Sequence, residues 1–501
     1  MIAIEHEQRP DVLRQVALLL ERENRYLHER IKKLTLELGR LQGADAATLQ
    51  LEIDQLKEML ERREREIFAA SSERRPRKRK DPDAERPPQT GHGPTPQSQL
   101  PVIEETHELP PEKRDCTVCG GTLEPMGDQA EESEEITVVQ RQFVLKKRRC
   151  RKYRCRCNAS VVTAPAPPKL IPGGRYSPEF AAAVAIDKYL DHQPLERQSR
   201  AMAREGLQVT SQTLWDQIHA MARVLEPSYE ALRPIILEAP VIHADETHWP
   251  LMTRQGTSKW WVWSIASREA VYYQLAGTRS HKAAQSILSG YEGIVMCDGY
   301  KAYETVAKRA GPKIELAHCW AHVRRKFVDA EPNYPAECER PLELIGKLFK
   351  VEREVPRVHV PEPEGVLELR QQLRTEHSKP LIDKLEALAE TMAGRVLPRS
   401  GIGKAVRYLQ AYWTGLTRFL EDPHIPLDNN LAERELRGIV VGRKNHYGSR
   451  SKAGTEVAAI LYSLVETAKL AGVEPRSFLI QATRAALEEP GTVTLPWDLV
   501  N

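Results

Sequence analysis

Apolar residues recur along the first part of the chain with the period of a helix seam. Leu13, Leu20, Leu27, Leu34 and Leu41 stand seven apart, and Ala17, Asn24, Ile31 and Leu38 fill the complementary positions. Such a heptad predicts a leucine-zipper-like coiled coil, and its single polar Asn24 leans toward a homodimer over a higher homo-oligomer. Gly43-Ala44-Asp45 breaks the run, and a second seam in a shifted frame passes through Leu49, Ile53, Leu56, Leu60 and Ile67. An intramolecular helical hairpin fits the same pattern. Residues 1–70 read as an association region either way. From 166 to 235 the period is helical again: Pro178 to Leu190, then Leu195 to Glu205, a turn at Gly206, and Ser211 to Leu225 capped by Thr210 or Ser211. The last pair has the outline of a helix-turn-helix, whose second helix can enter a major groove. Beyond about 238 the pattern shifts to strands alternating with helices. Strands are predicted at Pro240 to Thr247, Lys259 to Ile265, Val271 to Leu275, Gly293 to Tyr300 and Ile314 to Cys319, with helices at Ala283 to Leu288 and Tyr303 to Arg309.

Composition narrows this picture. The 501 residues allow about three or four domains. With 41% apolar residues the chain can bury a large core, and 73 basic against 70 acidic residues exclude a histone-like or acidic-tail protein. Nine of the 35 prolines fall between Pro76 and Pro111, beside the run Arg74-Arg75-Pro76-Arg77-Lys78-Arg79-Lys80, so residues 71–112 read as a basic linker. No apolar run approaches the ~18 residues of a membrane span, and the start MIAIEHEQRPDVLRQ lacks a leader pattern. A cytoplasmic protein is expected, nucleoid-associated when bound to DNA.

Five of the eight cysteines crowd between positions 116 and 157. Without a leader such clustering favours metal over disulfides. Cys116 and Cys119 form a CxxC knuckle, and with Cys155 and Cys157 they make a tetrahedral thiolate set for Zn2+ in a module spanning 113–165. Cys150 competes for the fourth place. Nine Lys or Arg and no acid lie between Arg141 and Cys157. Arg148, Arg149 and Lys152 are therefore candidate DNA contacts.

Three strands, a helix, a strand, a helix and a strand is the order of a ribonuclease-H-like sheet, in which the first and fourth strands lie side by side. Asp245 and Asp298, each read as closing one of those strands, would share a site and offer hard oxygen ligands to Mg2+. Glu433, in Asp428-Asn-Asn-Leu-Ala-Glu433, is the third carboxylate that a two-metal phosphodiester site needs. Blander readings stand beside this one. Asp298-Gly299 is also a turn signal, Glu433 has capping-box spacing from Asn430, and His243 and His248 near Asp245 admit a His/Asp metal phosphohydrolase.

The segments HADETHWPL, CDGYKAYE, AHCWAHVRRKF, LDNNLAERELR and GRKNHYGSRSKAGTEVAAILYSLVETAKLAGVEP resemble the IS-66 family (insertion sequence 66) of DDE transposases. The resemblance covers nearly the whole chain. It implies an α+β multi-domain protein with a catalytic domain over 236–480, a helical insertion at about 331–425 and a C-terminal tail at 481–501. It makes Asp245, Asp298 and Glu433 the acidic triad holding Mg2+ or Mn2+ for DNA strand cleavage and strand transfer. The implied partners are terminal inverted repeats, target DNA and accessory proteins of the same element. Arg324, Arg325, Lys326, Arg434, Arg437, Arg443 and Lys444 would hold the DNA backbone. One departure stands out: Cys155-Arg-Cys157 is a residue shorter than the family's usual second knuckle. A catalytically inactive DNA-binding regulator is the alternative, distinguished by binding without nicking.

Overall fold

The computed structural model describes residues 142–154, 161–253, 256–355 and 365–499, with isolated helical positions between 26 and 57. Cys116, Cys119, Cys155 and Cys157, the linker at 71–112 and most of the leucine seam lie outside the described residues. Within the seam Leu27, Leu34 and Ile53 are buried and Tyr26 is exposed.

The first described elements are a small antiparallel pair, β1 (Lys152–Arg154) and β2 (Val161–Thr163). Three helices follow: α1 (Pro178–Tyr189), α2 (Leu195–Arg204) and α3 (Ser211–Leu237). Ser177 caps α1, and the Thr210 side chain caps α3 by accepting from the Thr213 N–H at 3.1 Å. The sequence pattern ends the third helix at Leu225, yet it continues through Pro227 and Pro234. Packing outweighs the lost helical bonds there. Tyr229 stacks on Tyr272 at 4.6 Å and donates its hydroxyl to the Tyr273 carbonyl at 2.8 Å, and Leu232 and Ile236 are fully buried.

Next come β3 (Val241–Thr253), β4 (Gly256–Ala266), β5 (Val271–Ala276), α4 (His281–Ile287), β6 (Gly293–Cys297), α5 (Lys301–Ala310) and β7 (Ile314–His318). They form a mixed sheet of order β5-β4-β3-β6-β7. β3 is antiparallel to β4 and β4 to β5, while β3, β6 and β7 are parallel. Val295 and Cys297 of β6 enter one hydrophobic core and Met296 the other. Burial on both faces is why GIVMC is an unbroken apolar run rather than an alternating one. β3 does not end at the acid. It runs on beside β4 as a hairpin arm, with Trp249 opposite Trp260.

After β7 come α6 (Trp320–Ala330), α7 (Pro335–Glu354), α8 (Val366–Leu373), α9 (Lys379–Ala393), α10 (Gly401–Ala411) and α11 (Trp413–Thr417). Residues of α6, α7, α9 and α10 build the core that contains Met296. Arg374, fully buried, joins this helical region together. It donates to Glu352 at 2.7 and 2.9 Å and to the carbonyls of Phe419 and Ile425 at 2.7 and 3.0 Å. The chain then returns as α12 (Asn430–His446), α13 (Lys452–Leu470) and α14 (Pro475–Glu488). α1, α3, α13 and α14 share one core with the sheet. The helical segment at 166–235 is therefore not a separate body, and residues 481–499 are packed rather than a tail: Ala482 and Ala486 are buried and Thr494 N–H donates to Ser228 Oγ at 3.0 Å.

Candidate active site

The parallel ladder of β3 and β6 ends at His243 opposite Met296. Two residues further along each chain stand Asp245 and Asp298. Glu433 approaches from the first turn of α12. Burial, then the charges of Glu246, Asp298 and Glu433, push the Asp245 carboxyl up to about 8. One backbone bond, from the Glu246 N–H to Asp245 Oδ1 at 2.8 Å, works against that shift. Asp298 Oδ1 accepts from the Tyr300 N–H at 2.9 Å, so the Asp298-Gly299 turn read from the sequence is present as well. Each aspartate thus commits one oxygen to the backbone. Glu433 Oε1 is buried and has no hydrogen-bond partner among the described residues.

Asn429, just before α12, decides where Glu433 stands. It is buried, its Oδ1 pairs with His243 Nδ1 at 2.9 Å, its Nδ2 donates to the Ala244 carbonyl at 3.0 Å, and its N–H donates to Cys319 Sγ at 3.2 Å. The far end of α12 is tied to the same strand. Met252 N–H donates to the Ser449 carbonyl at 2.8 Å, and Ser449 N–H donates to the Pro250 carbonyl at 3.1 Å. Gly448, at φ +79°, lies so close to the Pro250 carbonyl that a side chain would collide with it. The capping-box alternative for Glu433 is not the geometry found, because Asn430 is already helical and turns its side chain to Asp428 at 2.6 Å.

Two further features border the acids. Glu433 lies 3.6 Å from His322 Nε2 and 3.8 Å from Arg325, too far for hydrogen bonds. Ligand atoms of Cys319, His322 and Glu433 fall within 4.8 Å of one another. Burial pushes the Cys319 thiol up to about 12. On the other side Glu246 is buried. Its Oε1 accepts from Arg279 Nε at 2.9 Å and its Oε2 from the Tyr303 hydroxyl at 2.8 Å. Asn429 and Glu246 were both within the segments LDNN and HADETH. No local signal marked Arg279.

The basic residues separate into two groups. Arg148, Arg149, Lys152, Arg324, Lys326, Arg434, Arg437 and Lys444 are exposed, as is Cys150. Arg325, also exposed, stands beside Glu433. Arg434 Nε bonds Glu435 at 2.9 Å, and Lys326 lies over the Tyr408 ring. Arg443 instead turns inward, donating to Thr247 Oγ1 at 2.8 Å and to the His248 carbonyl, so it fastens α12 to β3.

Comparison with known proteins adds to this geometry. The model of the family described as Transposase IS66 family matches residues 173–457, which contain all three acids. Three uncharacterized proteins of Sinorhizobium fredii are similar over most of their length. One, y4jD, is 30% identical over 412 residues, covering 78% of this chain and 79% of that protein. A second, y4hP, is 28% identical over 413 residues, covering 76% and 73%. A third, y4qI, is 30% identical over 401 residues, again covering 76% and 73%.

Proposed function

Since the chain belongs to the IS66 family of transposases, we propose that it cleaves DNA at the ends of a bacterial insertion sequence and joins them to a target, with Asp245, Asp298 and Glu433 as its acidic triad. One observation carries the reading. Carboxylates from β3, the residue after β6 and the start of α12 lie near enough that, after burial and Glu246, the charges of Asp298 and Glu433 help push Asp245 up to about 8. The strand order 3-2-1-4-5, with its second strand antiparallel, supports a ribonuclease-H-like core.

The donor set suits hard divalent cations, Mg2+ or Mn2+. Each aspartate has an oxygen not committed to the backbone, and Glu433 Oε1 is buried without a hydrogen-bond partner among the described residues. When bound there, such ions supply charge stabilisation to the attacking and leaving oxygens of a phosphodiester. The chain's own part is positional. Asn429 holds α12 against β3 so that Glu433 faces the two aspartates, and the basic surface of α6 and α12 attracts the DNA backbone to an otherwise acidic rim. The cysteine module with Zn2+, the helix-turn-helix-like α2 and α3, and self-association through the leucine seam complete the proposal, supported by ligand spacing, by the α2–turn–α3 shape and by the heptad.

Labelled duplex carrying the element's terminal repeat, incubated with the protein and Mg2+, tests it. Wild type is expected to nick the duplex at its end. Asp245→Asn, Asp298→Asn and Glu433→Gln should each slow nicking by more than the roughly 100-fold typical of losing an outer-sphere partner. Binding without nicking by wild type supports the inactive-regulator reading instead, and nicking retained by all three variants removes the triad assignment.

A further inference from the structure

Arg279 lies between β5 and α4 with its side chain 40% exposed. Its guanidinium carbon is 4.7 Å from the centre of the Trp261 ring and 4.0 Å from that of Tyr300, so the group packs on two aromatic rings. One edge is held as well: Nε and NH2 donate to Glu246 Oε1 at 2.9 and 2.5 Å. Glu246 is in turn fixed by the Tyr303 hydroxyl, and the Tyr300 hydroxyl donates to the Arg279 carbonyl. Tyr300 N–H binds Asp298 Oδ1 at 2.9 Å, which sets this stack beside the loop carrying Asp298. The remaining edge, with NH1, has no acceptor among the described residues.

An ion pair that is half exposed adds little to stability, and pairing Glu246 explains only one edge of the guanidinium. Two aromatic contacts and an anchoring carboxylate restrict its orientation in advance. A planar guanidinium edge matches two oxygens of a phosphate, which an ammonium cannot do. The electrostatics call for such a group. Asp245, Asp298 and Glu433 set three carboxylates where a polyanion would bind, and a cation fixed next to Asp298 offsets that repulsion locally.

We propose that the open edge of Arg279 binds a backbone phosphate of the DNA beside the linkage that is cut, with Trp261 and Tyr300 holding its plane and Glu246 its direction. The inference rests on the transposase reading above. Its test uses full-length protein and terminal-repeat duplexes in which one linkage at a time is a neutral methylphosphonate. In wild type, one such position near the nick should slow nicking at saturating DNA by about 10- to 100-fold, the range expected of one charge-assisted contact. Arg279→Ala should show a loss of similar size on unmodified DNA and no further loss from that methylphosphonate. Its log affinity should fall with log salt along a slope shallower by about one. Arg279→Lys should keep the slope but lose most of the rate. Where Arg279→Ala does not fold, Arg279→Gln takes its place. Wild type that neither binds nor nicks any duplex overturns the functional reading and this inference together. Wild type that nicks, with Arg279→Ala equally fast, or with every methylphosphonate effect additive to the substitution, overturns this inference alone.

Discussion

Asp245 shows at a single residue what the proposed cation site costs the fold. Its carboxyl is buried beside three other acids, and its pKa rises from the ordinary 3.8 to about 8. A group raised in the folded state stabilises the fold at low pH, and that contribution is lost as pH rises from 3.8 through about 8. Removing divalent cations with a chelator at pH 8 should therefore lower Tm, and Asp245→Asn should raise the Tm of the cation-free protein while abolishing nicking. Each kcal/mol of repulsion relieved corresponds to about 2–4 °C or less in a chain of this size. Differential scanning calorimetry at pH 5 and pH 8 checks it. Equal Tm for the two proteins at pH 8 without divalent cations would show that the carboxylate is not under strain.

At the scale of the element, α12 matters because it is pinned at both ends to one strand. Asn429 binds His243, Ala244 and Cys319 at the start, Arg443 reaches Thr247 near the end, and Ser449 pairs with Pro250 and Met252 beyond it. A helix so held cannot slide or rotate, so Glu433 keeps its bearing on Asp245 and Asp298. Asn429→Ala leaves the Ala244 carbonyl and a ring nitrogen of His243 unsatisfied in the interior, a change expected to destabilise by about 1–3 kcal/mol. It should also slow nicking by roughly 10- to 100-fold, the usual effect of losing a residue that orients a ligand. DNA affinity should be unchanged within about twofold. Denaturant melts, gel shifts and single-turnover nicking measure the three, and weakened DNA binding with normal nicking would contradict the positioning role.

On the scale of the molecule, the sheet separates two hydrophobic cores, and the helical region between α6 and α12 touches the turn after β6. Tyr412 donates its hydroxyl to the Gly299 carbonyl at 2.7 Å, packs so closely that Gly299 has no room for a side chain, and lies 4.5 Å from the His318 ring. Burial holds His318 at about 4, and burial with nearby Lys188 holds His446 at about 3, both far below the ordinary 6.5. For groups depressed in this way the unfolded chain binds more protons. Stability is full above pH 6.5 and declines as pH falls toward 4 and 3. Each histidine should contribute a slope of about 1.4 kcal/mol per pH unit within its window. His446→Gln should flatten the acid limb of a Tm-against-pH curve between 6.5 and 3. An unchanged acid limb would place the proton uptake elsewhere.

Much of this was legible from residue order alone. The strand–helix alternation and the unbroken apolar run of β6 mark element types, because periodicity records which faces are buried. The chain positions of Asp245, Asp298 and Glu433 are written in short polar motifs, and the family follows from the same segments. Tertiary structure alone decided the rest. His243 and Asn429 are 186 residues apart, and Arg279 has no neighbour in sequence that marks it. Arg443 turns inward, α3 runs through two prolines, and residues 481–499 pack where a tail was expected. In each case the deciding energy is a contact between distant parts of the chain. Local pattern reports how a residue meets its own element, and carries no record of the partner that folding brings to it.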